Sequence, residues 1–226
     1  MKKLTALILT AVLLVGACFS LASCGVKKDY CEYYADRDNS GRNVYYVKLE
    51  VESYGDIVLL LDSAAAPFTV INFLSLVGEG FYDGRTFHRV AENFMIQGGC
   101  PNGDGTGDAG STIYGEFSAN GHLTNDLTHK RGVLSMARSS DSYDSASCQF
   151  FICNADSEFL DGNYAAFGYV IYGMHTVDAI TEATVGFANP SSGTISNKSK
   201  QAKISRATII TEAEAAEYIA LRDQRT

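Results

Sequence analysis

Short extended runs, cut by glycine, asparagine and aspartate, limit the folds open to this chain more than any other feature. NVYYVKLEV and DIVLLLD stand on either side of Glu52-Ser53-Tyr54-Gly55, a hairpin signal. TFHRV, FMIQGG, STIYGEF, GVLSMAR, CQFFICN, AAFGYVIYG and KISRATIIT follow at similar spacing. So many short strands present many unpaired edges, and closing the sheet on itself removes them. Two segments have the helical period instead. One begins at Pro67, carries Val70, Phe73, Leu74, Leu76 and Val77 on one face and ends at Gly78. The other, MHTVDAITEAT, has Val177, Ile180 and Ala183 as its apolar positions. The expected class is mainly β: a closed antiparallel barrel or sandwich with two helices and no internal repeat.

The first residues have the layout of a secretory leader: a basic MKK, the apolar run LTALILTAVLLVGA, then small residues. LASC resembles a bacterial lipobox. That resemblance implies a signal peptide over 1–23 and lipidation at Cys24, with VGAC at Cys18 a weaker candidate. An uncleaved anchor of about 20 residues is the alternative. Either way, the rest of the chain is expected outside the cytoplasm and tethered to a membrane. Residues 24–42, polar and without a steady period, read as the tether, 43–211 as the folded domain, and 212–226 as a helical extension or tail.

Charge narrows the function classes. The net charge of −8 opposes nucleic-acid binding, which needs a basic face to displace counterions from phosphate. GDGTGDAG (103–110) holds a nominal GxGxxG, but a strand-like STIYG follows where a dinucleotide site needs a helix. Asp104 and Asp108 lack the spacing of a calcium loop. No GxSxG or HExxH is present and the four histidines are scattered, so neither a hydrolase nor a metal site is indicated, and no cofactor is expected. Beyond Cys18 and Cys24 lie Cys31, Cys100, Cys148 and Cys153. Four thiols allow three full pairings, among which spacing does not choose, and Cys153 in FFIC reads as a small core residue.

One stretch resists a purely structural reading. In FHRVAENFMIQGG, residues 87–99, an arginine and a glutamine sit among aromatics and methionine in two short apolar strands. Together with GTG, YGE, LSMA, QFFI, LDG and AFG, in order over 44–210, this stretch resembles the cyclophilin family of peptidyl-prolyl cis/trans isomerases. The resemblance implies an eight-stranded antiparallel β-barrel capped by two α-helices, acting as a monomer on proline-containing segments of secreted or membrane-tethered proteins. It also implies residue roles. Arg89 matches the catalytic arginine, with His88 before it and Gln97 holding it, helped by Gln149. Phe94, Met95, Phe151 and Leu160 match the apolar proline slot, while Ala137 and Gln149 border the peptide. Tyr164 stands where many members have His, and Phe159 where many have Trp, which implies weakened cyclosporin binding. Gly105, Thr106 and Gly107 match a loop shaping a neighbouring pocket. A link between Cys100 and Cys148 is one further expectation.

Two alternatives compete with the isomerase. A barrel-rim arginine held by a carboxylate would account for Arg89 without catalysis. A proline-binding module or chaperone at the cell surface would use the same slot without turnover.

Overall fold

A computed structural model of the protein describes residues 27–224. The expected leader and the lipidation at Cys24 lie outside the described residues. Eight antiparallel strands form the wall: β1 (Val44–Val51), β2 (Gly55–Asp62), β3 (Thr86–Ala91), β4 (Met95–Gly98), β5 (Val133–Met136), β6 (Phe150–Cys153), β7 (Ala166–Tyr172) and β8 (Ala202–Ile210). They close in the order β1-β2-β7-β5-β6-β4-β3-β8, with β8 returning to β1.

Alternation along each strand sorts side chains to two faces. Val47, Leu49 and Val51 of β1, Ile57, Leu59 and Leu61 of β2, Ile96 of β4, and Phe150 and Ile152 of β6 point into one buried core. Helix α1 (Pro67–Gly78) contributes Val70, Phe73, Leu76 and Val77, and helix α2 (Met174–Thr184) contributes Met174, Val177 and Ile180. Both helices fall where the apolar period places them. Pro67 fits the first turn of α1, where its missing N–H costs nothing. Ala66 before it has no capping side chain. Instead the fully buried Glu116 accepts from the Phe68 and Thr69 amides at 3.0 and 2.8 Å, which places the glutamate of YGE at a helix N-terminus.

Three expectations need correction. STIYGEF is not a strand: a single bridge, Ile113 to Ala146, is all that pairs there. A Cβ on Gly115 would come within 2.4 Å of the Tyr143 carbonyl, so the segment passes tightly against 142–146 instead of joining a ladder. The tether expected through residue 42 is in fact packed on the barrel from residue 29. Cys31 N–H donates to the Val170 carbonyl at 2.9 Å, and the Tyr34 ring stacks on Tyr169 at 5.0 Å. Arg37 and Arg42 both reach Asp62, whose carboxylate is fully buried, at 3.2 and 2.7 Å. These contacts need individual side chains and no period, so a pattern search misses them. Third, Cys31, Cys100, Cys148 and Cys153 are all buried and free, so the link between Cys100 and Cys148 is not formed.

The C-terminal segment is a helix, α3 (Glu212–Asp223), on the outside of the barrel. Thr211 and Glu214 make a reciprocal capping box at its start. Ala215, Tyr218 and Ile219 join Cys31, Tyr34, Tyr169 and Tyr172 in a second apolar cluster, and the Tyr218 hydroxyl donates to Asp56 at 2.8 Å.

Candidate functional site

The same alternation that fills the core builds a site on the outer wall. In β4, Ile96 points inward, so Met95 and Gln97 point outward; in β6, Phe151 and Cys153 lie outside, alternating with inward Phe150 and Ile152. The register then aligns them: Arg89 of β3 faces Gln97 of β4, Gln97 faces Phe151 of β6, and Phe151 faces Ser135 of β5. Arg89, Gln97 and Phe151 thus form one transverse row across three strands. A register shift at His88 interrupts the simple alternation of β3, so Phe87 and His88 are both buried while Arg89 emerges.

The row opens on a cavity of about 270 Å³ lined by Arg89, Phe94, Met95, Gln97, Ala137, Phe151, Phe159, Leu160 and Tyr164, all of them expected from the sequence, together with Arg138. Met95, Phe151 and Leu160 are buried walls, whereas Phe159 is 72% exposed and rests on Phe94 with ring centroids 5.4 Å apart. Gln149 lines a second cavity of about 300 Å³ with Gly105, Thr106 and Gly107. Gln97, Ala137 and Arg138 belong to both.

Arg89 is fixed on three sides. Its Nε donates to the Ser192 carbonyl at 2.7 Å and its Nη1 to Gln97 Oε1 at 3.1 Å, and its guanidinium carbon lies 5.8 Å from the centre of the Phe94 ring. The Gln97 amide donates to Gln149 Oε1 at 3.0 Å, and the Gln149 amide donates to the carbonyls of Gly105 and Gly107 at 2.9 Å each. Among the described residues no carboxylate pairs with Arg89; their ion pairs involve other side chains. The rim-arginine alternative therefore has no partner to support it. Burial lowers the Arg89 pKa from its very high ordinary value.

His88 is the one expected substrate contact that lines neither cavity. It is 1% exposed, beneath the loop at Gly105, and burial pushes its imidazole down to about 4. Its ring lies against the Gly105 loop and opens into neither cavity.

Three features escaped the sequence reading. Arg138 lies two residues beyond the end of β5, where no motif marks it. His129 is buried behind Phe151, its ring stacked at 6.0 Å, with Nδ1 at 2.7 Å from Asp161 and Nε2 at 3.0 Å from Ser135. Burial lowers its pKa although Asp161 pulls the other way. The grouping of Ser135, His129 and Asp161 has the order of a nucleophilic triad, but Ser135 is fully buried. The third is Cys100, whose sulfur accepts from the amides of Gly105 and Gly107 at 3.3 Å. Burial raises its pKa, and the amide donors outweigh burial to leave it lowered. A continuous chain of hydrogen bonds thus runs from that sulfur, through the loop, Gln149 and Gln97, to Arg89. No periodic pattern announces such a chain; it exists only once the strands are in register.

The geometry is a cleft with apolar walls from Phe94, Met95, Phe151 and Leu160 and a fixed guanidinium at its edge. Comparison with known proteins gives it a family. A profile described as cyclophilin type peptidyl-prolyl cis-trans isomerase/CLD matches residues 46–209. Peptidyl-prolyl cis-trans isomerase B of Bacillus subtilis is 45% identical over 127 residues, 56% of this chain and 78% of that protein. A peptidyl-prolyl cis-trans isomerase of Helicobacter pylori is 41% identical over 133 residues, 58% of this chain and 77% of its own length. Among solved structures, a cyclophilin-type isomerase of Cryptosporidium parvum, crystallised in the presence of the dipeptide Ala-Pro, superposes with a TM-score of 0.63 at 29% identity, covering 74% of this chain and 99% of that one.

Proposed function

The chain belongs to the cyclophilin-type peptidyl-prolyl cis-trans isomerase family, and from that premise we propose how its site turns the X–Pro bond and where it does so. Rotation is slow because resonance stiffens the C–N bond, with a barrier of about 18–20 kcal/mol. At the twisted transition state that resonance is lost, and the proline nitrogen gains a lone pair that accepts a hydrogen bond. A donor that finds this acceptor only in the twisted state lowers the barrier selectively. Nothing is covalently made or broken, so the site needs no nucleophile.

Arg89 is that donor. Its Nε and Nη1 are taken by Ser192 and Gln97, which fixes the guanidinium plane and leaves its remaining N–H groups at the cavity edge. Gln97 and Gln149 are positioning residues. Phe94, Met95, Phe151 and Leu160 take the proline ring, and Tyr164 offers a hydroxyl to the peptide. A thousand-fold acceleration requires about 4 kcal/mol, within reach of one charge-assisted hydrogen bond plus orientation. The observation that carries this reading is an arginine held by neutral acceptors beside an apolar slot, with no carboxylate to occupy it.

The test is turnover of a cis-prolyl tetrapeptide by the chain lacking residues 1–23, beside Arg89→Ala. Acceleration by the parent and a loss of about 10²–10³-fold in kcat/KM by the variant, with an unchanged melting profile, are expected. A folded but inactive parent overturns turnover and leaves a proline-binding module.

The place of action is outside the cytoplasm on secreted or membrane-tethered clients, the chain being held at the membrane by lipid on Cys24. The leader and LASC support this. Because packing on the barrel begins at Asp29, which accepts the Met174 amide at 3.0 Å, only residues 25–28 remain to span the gap. At about 3.5 Å per residue the barrel is kept within roughly 20 Å of the anchor. Metabolic labelling with a fatty-acid analogue, lost in Cys24→Ser, checks the anchor; an unlabelled parent overturns it.

A further inference from the structure

The proline cavity is lined by two charged residues, Arg89 and Arg138, and by no acid. Arg138 is held differently from Arg89. Its Nε donates to the Asn163 carbonyl and its Nη1 to the Ser139 carbonyl, both at 2.9 Å. Three rings surround the guanidinium carbon: Tyr164 at 4.7 Å, Tyr143 at 5.1 Å and Phe117 at 5.4 Å from their centroids. The side chain is thus aimed by two backbone acceptors and an aromatic cage while staying partly exposed, and Nη2 has no hydrogen-bond partner among the described residues. Nor does a carboxylate of the described residues form an ion pair with it.

Nearby acids are occupied or turned elsewhere. Asp144, in the same loop, accepts from the Gly115 amide and the Asn120 side chain. Asp141 is exposed and bonded to Ser140. Asp108, at the far side of the second cavity, accepts from the Gly110 amide. Arg138 therefore leaves a local positive charge on a chain whose net charge is −8. It also sits on the saddle between the two cavities, so a peptide that seats its proline in one and runs toward the other must pass it.

We propose that Arg138 is a specificity-determining residue that favours prolyl bonds flanked, within a residue or two, by a glutamate or aspartate side chain. A carboxylate brought to this place meets a preoriented guanidinium with N–H groups to give and displaces no internal partner. Arginine suits this because its planar fork matches carboxylate geometry and stacks on aromatic rings, as lysine does not. The inference rests on the isomerase reading above for its kinetic form.

The experiment compares otherwise identical proline peptides carrying Glu, Ala or Lys at each of the two positions before the proline and the one after it. With the purified full-length protein in detergent, kcat/KM at one of these positions is expected to be about three- to tenfold higher for Glu than for Ala, and lower for Lys, mainly through KM. Raising salt from about 0.02 to about 0.5 M is expected to compress that ratio, because the pair is partly exposed. In Arg138→Gln the Glu-to-Ala ratio falls to about one, whatever happens to the alanine peptide itself, and Arg138→Lys retains part of it. An equal rate for Glu and Ala at every position, or an undiminished ratio in a folded Arg138→Gln, overturns the proposal. If Arg138→Gln does not fold, a Glu preference in the parent that ignores salt overturns it as well. Should the parent turn over no peptide, the isomerase reading fails separately; the same ratios are then read as dissociation constants by titration, with the same outcomes deciding Arg138.

Discussion

The two cavities share Gln97, Ala137 and Arg138 yet are built from different material. The proline cavity takes Arg89, Met95, Gln97 and Phe151 from three paired strands, and each is fixed by a ladder that one residue of slippage would turn inside out. Its neighbour is made mainly of loops, 103–108 and 138–147, held by side-chain hydrogen bonds such as that from the Ala109 amide to Ser147. The cavity assigned above to proline thus rests on hydrogen-bonded strands, and the one assigned to the rest of the peptide rests mainly on loops, where sequence changes are tolerated more readily. The hydrogen-bond chain from Cys100 to Arg89 is where the two are joined.

The largest effect short of removing Arg89 is expected from cutting that chain on the strand side. Gln97→Leu leaves the guanidinium without its Oε1 acceptor, and kcat is expected to fall about 10–100-fold with KM little changed, read by single-peptide kinetics. A purely loop-level role for the chain predicts no such drop. Cutting it on the loop side tells less on chemistry: Cys100→Ala removes the acceptor of two amides, and a loss of about three- to tenfold is expected, with Cys100→Ser restoring part of it. An equal loss at both ends would erase the contrast between strand and loop.

Acid separates the regions by stability. The unfolded His88 titrates near its ordinary 6.5 and the folded one near 4, so the unfolded chain binds more protons between those values. The contribution is present in full above pH 6.5 and is lost as pH falls toward 4, on the order of 3 kcal/mol. His129, also lowered by burial, adds in the same direction. Denaturant midpoints at pH 7.5, 5.5 and 4.5 are expected to fall stepwise, less steeply in His88→Gln. The smallest effect concerns the exposed rim. Phe159 offers no indole N–H, so cyclosporin inhibition is expected to be weak and to tighten about tenfold in Phe159→Trp; a dose–response unaltered by the substitution removes that explanation.

Much of this was legible beforehand because period and turn chemistry carry it. The β1–β2 hairpin at Ser53 and Gly55, both at positive φ, the α1 start at Pro67, and the bounds of α2 follow from local rules. Arg89, Gln97 and the apolar walls came from the resemblance to the family that the ordered motifs carry. What stayed hidden depends on contacts between distant segments: the packing of residues 29–42 on β2 and β7, the tight passage at Gly115, the cage around Arg138, and the burial of His88 by a register shift. STIYGEF has the right composition for a strand but pairs with 142–146 only through the Ile113–Ala146 bridge.

The closing order of the barrel has a consequence for how the chain comes into being. β8 is the last strand to be synthesised, and it pairs with both β1 and β3. Until residue 202 has emerged, those two strands have bare edges with nothing to cover them, and the wall cannot shut. Closure of the wall therefore waits for β8, and until then the chain carries two unpaired strand edges of the kind that promote aggregation. A member of a prolyl isomerase family thus has a late closing step of its own.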